Sequence, residues 1–234
     1  MEKDLEMSKV SFKQLSNAQK LEYIWDYYKF HLLTVLFILF LVIAGIFYLR
    51  LDARPDILNG YLLNSNWGDD KAQELLQAFA DANGYDLEKG NAYFNSSVYI
   101  DVQLKDQMSS VAYTKVMSDL DMKRTDFYFC NQEMFDYFGE KEAFLNLETA
   151  LSEDTLNKYQ DRIITTTTYN EDGSVAETYA AGIDISDSPV LATMQQEGKI
   201  YEDGKIIFSI PYNTTRLDTS LEFLEFLFYL KESN

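Results

Sequence analysis

One run of residues constrains this chain more than any other: Leu32 to Leu49 contains no charged side chain and is bracketed by Lys29 and Arg50. A helix needs about twenty apolar residues to cross the roughly 30 Å of hydrocarbon in a bilayer. Residues 30–49 supply that length with one Thr and one boundary His. The run therefore predicts a transmembrane helix over about residues 30–49. A buried core helix is the weaker interpretation, because no side of the run is polar.

A cleaved signal peptide is the main alternative for this segment. The charged region before the apolar run is unusually long, and the run itself exceeds the usual length of a signal-peptide core. No clear cleavage site with small residues follows between Leu49 and Pro55. We therefore favour an anchor that is retained.

The residues just before the predicted span are crowded with aromatic side chains. Tyr23, Trp25, Tyr27 and Tyr28 lie there, followed by Lys29. Tyrosine and tryptophan rings partition into the headgroup layer of a bilayer, and a lysine can extend its amine to the same layer. These five residues are therefore predicted to form a membrane interface, with the lipid bilayer as their partner.

The helix that contains the span is predicted to begin well before the lipid. Ser16 and Gln19 fit a capping box, and residues 16–50 predict one amphipathic and transmembrane helix of which about 34 residues, or about 50 Å, are helical. Residues 1–15 are predicted to be a flexible cytosolic N-terminus. Four apolar residues share one face of the early helix. They are Leu21, Ile24, Trp25 and Tyr28.

Two interpretations of that early helix stay open. The helix between Ser16 and His31 could rest on the lipid surface, or it could dock onto another membrane protein. We favour the lipid interpretation.

The charge of the chain is divided unevenly. The whole chain carries a formal net charge of −18, but residues 55–234 alone hold thirteen Lys/Arg against thirty-two Asp/Glu. So acidic a surface repels phosphate backbones, which argues against nucleic acid as a partner. The positive-inside bias across the span is slight, so the size of the acidic part favours a cytoplasmic N-terminus and an extracellular domain at the cell membrane. One cysteine, Cys130, permits no disulfide within the chain.

Residues 55–234 predict one α/β domain. Three strand-helix units follow one another, which favours parallel strands covered on both faces. Two β-rich runs joined across "NEDG" then predict a hairpin, and "KIIFSIPY" predicts one more strand. Ser188 with Pro189 predicts the start of a short helix, and Thr219 with Glu222 predicts the cap of the last one. The expected fold is a single mixed, mainly parallel sheet.

Several phrases resemble bacterial extracellular solute-binding proteins. They are "DFYFCNQEMFDYFGEKEAFLNLETAL", "YAAGIDISDSPVL" and "IIFSIPYNTTRLDTSLEFLEFL", in that order along residues 55–230. The N-terminal phrase "KLEYIWDYYKFH" is similar to uncharacterised single-span membrane proteins of low-GC Gram-positive bacteria. The resemblance implies one lobe of a periplasmic binding protein, with a strand that returns to the sheet after the hinge.

The domain departs from that family in its size. Too few residues lie between Leu151 and Ser188 to build a second α/β lobe. Closure around a small ligand needs two walls, so the family's transport role is not expected of this chain.

Candidate ligand-binding residues follow the predicted strands at their carboxyl ends. Ligands of open α/β sheets bind beyond those ends, and here they are Asn64, Asn66 and Trp67 after one strand and Asn131 and Glu133 after another. Amides, a carboxylate and an indole could hold a polyol or a peptide. The alternative, which we favour, is that Asn131 caps its helix and Trp67 covers an edge of the core.

Other chemistries lack the residues that they need. The loop that begins at Asp81 starts like a calcium loop, but Tyr85 and Ala92 replace two of its ligands, so Asn83 and Gly84 are interpreted as a helix C-terminus. The only histidine, His31, lies at the predicted membrane edge. We therefore expect no cofactor, no metal and no histidine-based catalytic site.

The sequence thus favours a membrane-anchored, extracellular, non-catalytic binding or protein-interaction module with a solute-binding-like fold. Two alternatives remain. One is an accessory subunit of a membrane transporter or other membrane assembly, docked through the aromatic helix. The other, for which the sequence offers least, is a cell-surface enzyme.

Overall fold

The computed structural model of the protein describes residues 16–52 and 54–228. The chain divides into two compact units, with the boundary between Arg54 and Pro55. The predicted flexible N-terminus, residues 1–15, lies outside the described residues. So do the side chains of Tyr23 and Tyr27, whose backbone is helical.

The first unit contains one long helix, α1 (Asn17–Asp52). The Lys20 amide bonds to the Ser16 carbonyl at 2.9 Å, so the helical hydrogen bonds start where the capping box predicts. Within the described residues, Tyr28–Tyr48 is the one stretch long and apolar enough to cross a membrane, and none of it is buried in the protein. The Thr34 hydroxyl, in the interior of this stretch, donates to the Phe30 carbonyl at 2.8 Å and so finds its acceptor within the helix.

The second unit alternates helices and strands. In chain order its elements are β1 (Asp56–Leu63), α2 (Asp69–Asn83), β2 (Asn91–Val98), α3 (Gln107–Asp121), β3 (Phe127–Cys130), α4 (Gln132–Gly139), α5 (Leu147–Ala150), α6 (Glu153–Tyr159), a 3-10 turn (Gln160–Arg162), β4 (Ile163–Tyr169), β5 (Val175–Asp184), α7 (Pro189–Met194), a second 3-10 turn (Gln195–Glu197), β6 (Ile207–Ser209) and α8 (Leu217–Phe228).

The described strands form one six-stranded mixed sheet in the order β2-β1-β3-β6-β5-β4. The pairs β1/β2 and β1/β3 are parallel, whereas β3/β6, β5/β6 and β4/β5 are antiparallel. The expected α/β fold and mixed sheet are confirmed, but the prediction of a mainly parallel sheet is wrong. The tight turn between β4 and β5 forces those strands to run in opposite directions, and β6 then enters between β3 and β5.

Apolar side chains cover both faces of the sheet. One face holds α2 and α8, with Phe79 and Phe223 at an edge-to-face ring distance of 5.1 Å. The other face holds α3 and α4, where Tyr128 packs between Tyr61 and Phe138. In the middle of β1, a Cβ atom on Gly60 would lie 2.2 Å from the Phe127 ring, so only glycine fits beside that ring.

Three helix ends test the capping signals that the sequence predicts. Gly84 has φ 77°, in the left-handed region, and its amide bonds to Ala80, which confirms the predicted end of α2. Ser188 accepts a bond from the Leu191 amide with Pro189 in the first turn, as predicted for α7. The predicted cap at Thr219 is wrong, because α8 already begins at Leu217.

A buried carboxylate closes the amino ends of β1 and β3. Asp126, fully buried, accepts hydrogen bonds from the Asn59 amide at 2.8 Å, the Thr214 hydroxyl at 3.0 Å and the Arg216 Nε at 2.9 Å. Burial raises the pKa of the Asp126 carboxyl, and these donors offset the effect only in part. This end of the sheet is therefore joined to the start of α8 by an ion pair.

Candidate functional site

The chain changes direction across the sheet at β1. From β1 it passes through α2 to β2 on one side, and from β2 through α3 to β3 on the other side. Since α2 and α3 lie on opposite faces, the carboxyl ends of β1 and β3 border the crevice where open α/β sheets bind ligands. The predicted ligand-binding residues all follow these two strands.

Asn64 follows β1, and both the nitrogen and the oxygen of its side-chain amide are hydrogen-bonded. Its Nδ2 donates to the Ile100 carbonyl at 2.8 Å, and its Oδ1 accepts from the Ile100 amide at 2.7 Å. With φ 54° it lies in the left-handed region, which asparagine tolerates better than most residues. Asn64 therefore fastens the end of β1 to the chain that follows β2.

Trp67 and Asn66 hold a later loop, residues 198–205. The Trp67 Nε1 donates to the Gly198 carbonyl at 3.0 Å, and the indole is 4% exposed. The Asn66 backbone amide donates to the Ile200 carbonyl at 2.9 Å, and its side chain donates to the Glu202 carboxylate at 3.1 Å. The interpretation of Trp67 as a cover over the core edge is confirmed.

Asn131 and Glu133 stand at the start of α4. The Asn131 Oδ1 accepts from the Met134 amide at 2.9 Å, so its predicted role as the helix cap is confirmed. Glu133 is exposed in the first turn of that helix. Between them, the Gln132 Oε1 accepts from the Lys205 Nζ at 2.6 Å, which ties the 198–205 loop to this side of the crevice as well.

Tyr201 occupies the crevice itself. Its hydroxyl lies 2.9 Å from the Leu63 carbonyl at the end of β1 and 2.8 Å from the Phe129 carbonyl of β3. Tyr201 is 3% exposed and the neighbouring Ile200 is fully buried. Burial raises the pKa of Tyr201 well above its ordinary value, so the hydroxyl stays neutral and keeps its proton.

Sequence reasoning missed Tyr201. The signal that could have found it is the pair Ile200 and Tyr201, two large apolar residues inside an otherwise polar stretch between Gln195 and Lys205. Such a pair in a loop indicates that the loop is anchored in the core.

The predicted residues lie together at one edge of the sheet. Most of them form hydrogen bonds with other residues of the chain. Asp69, at the start of α2, accepts from the Ser96 and Ser97 hydroxyls and from the Ser96 amide, and these bonds, those of Ser97 first, lower the pKa of its carboxyl. Its carboxylate thus lies at a helix start, where an anionic ligand would otherwise be favoured.

Cys130, at the end of β3, is buried, and burial raises the pKa of its thiol. This is the state of an apolar core residue and not of a nucleophile.

Metal chemistry has no preformed centre here. Among residues 16–52 and 54–228, no group of three or more His, Cys, Asp or Glu side chains is placed to hold a metal ion.

The predicted membrane-interface residues lie on α1. Trp25 is 60% exposed and Tyr28 is 49% exposed, and the Lys29 Nζ lies 5.8 Å from the centre of the Phe30 ring. The aromatic side chains before the span are thus presented outward where they are described.

Comparison of the chain with known protein families, curated proteins and solved structures finds no match.

Proposed function

We propose that this protein is a single-pass membrane protein that carries its acidic α/β domain outside the cell as a non-catalytic protein-interaction module. Its N-terminus lies in the cytoplasm and α1 crosses the membrane. The domain binds a macromolecular surface and does not enclose a small ligand.

The anchor is supported by the exposure of α1. The side chains from Phe30 to Tyr48 are all exposed to the surroundings of the protein. Exposed apolar surface on this scale is stable in hydrocarbon and costly in water, at about 25 cal/mol for each Å² of apolar area.

The filled crevice is the observation that favours an interaction module over a small-ligand receptor. A polyol or peptide at the carboxyl edge would have to displace Tyr201 from the Leu63 and Phe129 carbonyls and move Ile200 out of the core. Replacing those bonds and refilling that volume opposes binding by about 1–3 kcal/mol for each buried group left without a partner. The outer surface of the domain is free of this cost.

The resemblance to one lobe of a solute-binding protein is part of the proposal. It is supported by β6, which returns to the middle of the sheet between β3 and β5, as the resemblance implies for the strand after the hinge. In this interpretation residues 198–205 fill the face that a second lobe would otherwise cover.

Affinity purification of the full-length protein from membranes in a mild detergent tests the proposal. We expect the chain to stay in the membrane fraction after a carbonate wash and to retain a macromolecule through its domain. Release into the aqueous phase would contradict the anchor. A rise in melting temperature with simple sugars or short peptides, and no retained macromolecule, would show instead that the domain is a small-ligand receptor.

A second candidate function is an accessory subunit of a membrane assembly, docked through α1. The observation that favours it is the exposure of Trp25 and Tyr28, just before and at the start of the apolar stretch. Replacing both by Ala would then abolish co-purification of the assembly, whereas Tyr48→Ala, at the other end of that stretch and 70% exposed, would preserve it. Equal retention by both variants would show that the rings contact lipid alone.

A further inference from the structure

Most exposed large apolar side chains of the domain come from one segment of the chain. Within residues 54–228, eight large apolar side chains are exposed, and five of them come from β2, α3 and their flanks. Among these five, the largest exposures are 79% for Met108, 70% for Tyr99 and 59% for Val111. We call this surface the β2–α3 face. Its apolar members are Tyr93, Tyr99, Met108, Val111 and Met122.

The β2–α3 face is held rigidly by the fold. The Asp101 amide donates to the Ser109 hydroxyl at 3.0 Å, which fastens the start of α3 to the segment after β2. Lys115 Nζ donates to the Tyr61 hydroxyl at 2.6 Å and fastens the middle of α3 to β1. Because Ser109, Val116 and Leu120 point into the core, Met108 and Val111 are left on the outer side of the helix.

The same part of the chain is nearly neutral. Residues 89–124, which include all five of these side chains, contain five Lys/Arg and four Asp, whereas the rest of residues 55–234 contains eight Lys/Arg and twenty-eight Asp/Glu. The apolar face is thus an exception on a strongly acidic domain. A low net charge together with exposed Tyr and Met fits the centre of a protein interface.

We infer that the β2–α3 face is where a second copy of this chain binds, through a two-fold interface. In such an interface the same surface serves both partners. The inference rests on the proposed function, since two chains anchored in one membrane meet at a raised effective concentration.

The charge pattern selects a second copy over a different partner. A protein that recognises this domain by charge would be basic and would bind its acidic surface. Two copies of so acidic a domain repel each other least where basic and acidic residues balance, which is the β2–α3 face. Contact there buries apolar groups and leaves the like charges apart.

The two copies meet through side chains and not by joining their sheets. β2 is the outermost strand on this side, but the Asp69 carboxylate accepts the Ser96 amide at 3.0 Å and the Asn95 side chain accepts the Ser97 amide at 3.1 Å. These backbone donors are therefore already engaged. Such occupied donors oppose strand addition.

The test compares two valines of equal exposure. Val111 on the β2–α3 face is 59% exposed and Val175 near the β4/β5 turn is 60% exposed. Full-length chains with Val111→Glu or Val175→Glu are purified in detergent micelles, and their masses are measured by light scattering over a dilution series. Circular dichroism melts check that both variants keep the fold, which an exposed position permits.

We expect the unaltered chain and V175E to be dimers, and V111E to dissociate with a dissociation constant raised about 100-fold, because two carboxylates are then placed in one interface. A monomeric unaltered chain, or a V111E chain that stays dimeric, overturns the inference. If V111E instead releases a different protein that the unaltered chain retains, the second-copy inference fails and the proposed interaction function survives. If the unaltered chain is monomeric and retains nothing, both fail.

Discussion

The two ends of the β1/β3 pair are closed by different chemistry. At the carboxyl end, the neutral Tyr201 hydroxyl spans two carbonyl oxygens. At the amino end, the buried Asp126 carboxylate is paired with Arg216 and two neutral donors. The first closure is made by a loop and the second by the start of a helix.

The two ends therefore differ in how much stability depends on a single partner. Removing a partner from the amino end leaves a charge in the core, whereas removing Tyr201 leaves only neutral carbonyls. In open α/β sheets the carboxyl end is the functional one. Here neutral groups fill the carboxyl end, so this end stabilises the domain. The outer surfaces of the domain remain available for binding another macromolecule.

The largest expected effect comes from breaking the amino end. Arg216→Met removes the guanidinium and keeps the stem, which leaves Asp126 buried without its cation. We expect a loss of about 3 kcal/mol in the free energy of unfolding, measured by urea denaturation followed by circular dichroism.

The matched control for that variant is Arg162→Met. Arg162 forms a two-pronged ion pair with Asp187, but 65% of the Asp187 side chain is exposed, whereas Asp126 is fully buried. An exposed pair contributes about 0.5 kcal/mol. Equal losses in the two variants would contradict the structural role of the amino end.

Breaking the carboxyl end is expected to cost less. Tyr201→Phe removes the donor that the Leu63 and Phe129 carbonyls share, and we expect a loss of about 2 kcal/mol. Tyr212→Phe serves as the control, because Tyr212 is 50% exposed and should tolerate the change. Hydrogen exchange at the Asn66 amide should rise in Tyr201→Phe alone, since the loop that holds it is loosened. Unchanged exchange there would show that Tyr201 does not hold the loop.

A smaller effect is expected at the start of α4, on the same edge. Asn131→Ala removes the cap from the Met134 amide and should lower the free energy of unfolding by about 1 kcal/mol. Glu133→Ala, one exposed position in the same turn, should change it by about 0.3 kcal/mol. The two values, measured under the same denaturation conditions, separate capping from the general effect of the first turn. A larger loss for Glu133→Ala would contradict this assignment.

The smallest expected effect is a difference in how the carboxylates at the two ends, Asp69 and Asp126, change the stability of the domain as the pH falls. The pKa of Asp69 is lowered by its bonds to Ser97 and Ser96, so its contribution to stability is present above its unfolded pKa of about 3.9 and is lost as the pH falls through its folded value. The pKa of Asp126 is raised by burial, so its carboxylate opposes folding at neutral pH and protonation relieves that cost.

Urea denaturation of Asp69→Asn and Asp126→Asn between pH 7 and pH 3 distinguishes the two signs. As the pH falls, the unaltered chain should lose stability relative to Asp69→Asn and gain it relative to Asp126→Asn. The same slope for both variants would mean that the two carboxyls have similar environments.

Much of the architecture could be predicted because local patterns determine it. The apolar run in α1, the Asn83 and Gly84 signal and the pair Ser188 and Pro189 act over a few residues, and each element begins or ends as these signals indicate. The prediction for the sheet was less complete. Only the pairing of β6 with β3 and β5 reveals that three of the five strand contacts are antiparallel, and that pairing joins residues distant in sequence.

The sequence predicted that the candidate residues follow strands at their carboxyl ends, but it did not predict which side chain fills the crevice between those ends. Asn64 and Asn131 follow adjacent strands, which a strand-end argument anticipates. The occupant, Tyr201, comes from 138 residues after Leu63 and 72 residues after Phe129. No local pattern connects residues so far apart.

The sequence by itself determined an apolar helix of membrane-spanning length, an acidic α/β domain and the helix-end signals at Gly84, Asn131 and Ser188, because hydrophobic period, charge and capping depend on neighbouring residues. Only the tertiary structure decided that the carboxyl-end crevice is filled by Tyr201, that Asp126 meets Arg216, and that the apolar side chains of the β2–α3 face stay exposed. These features depend on which distant segments pack together, and that choice is made by the core of the domain as a whole.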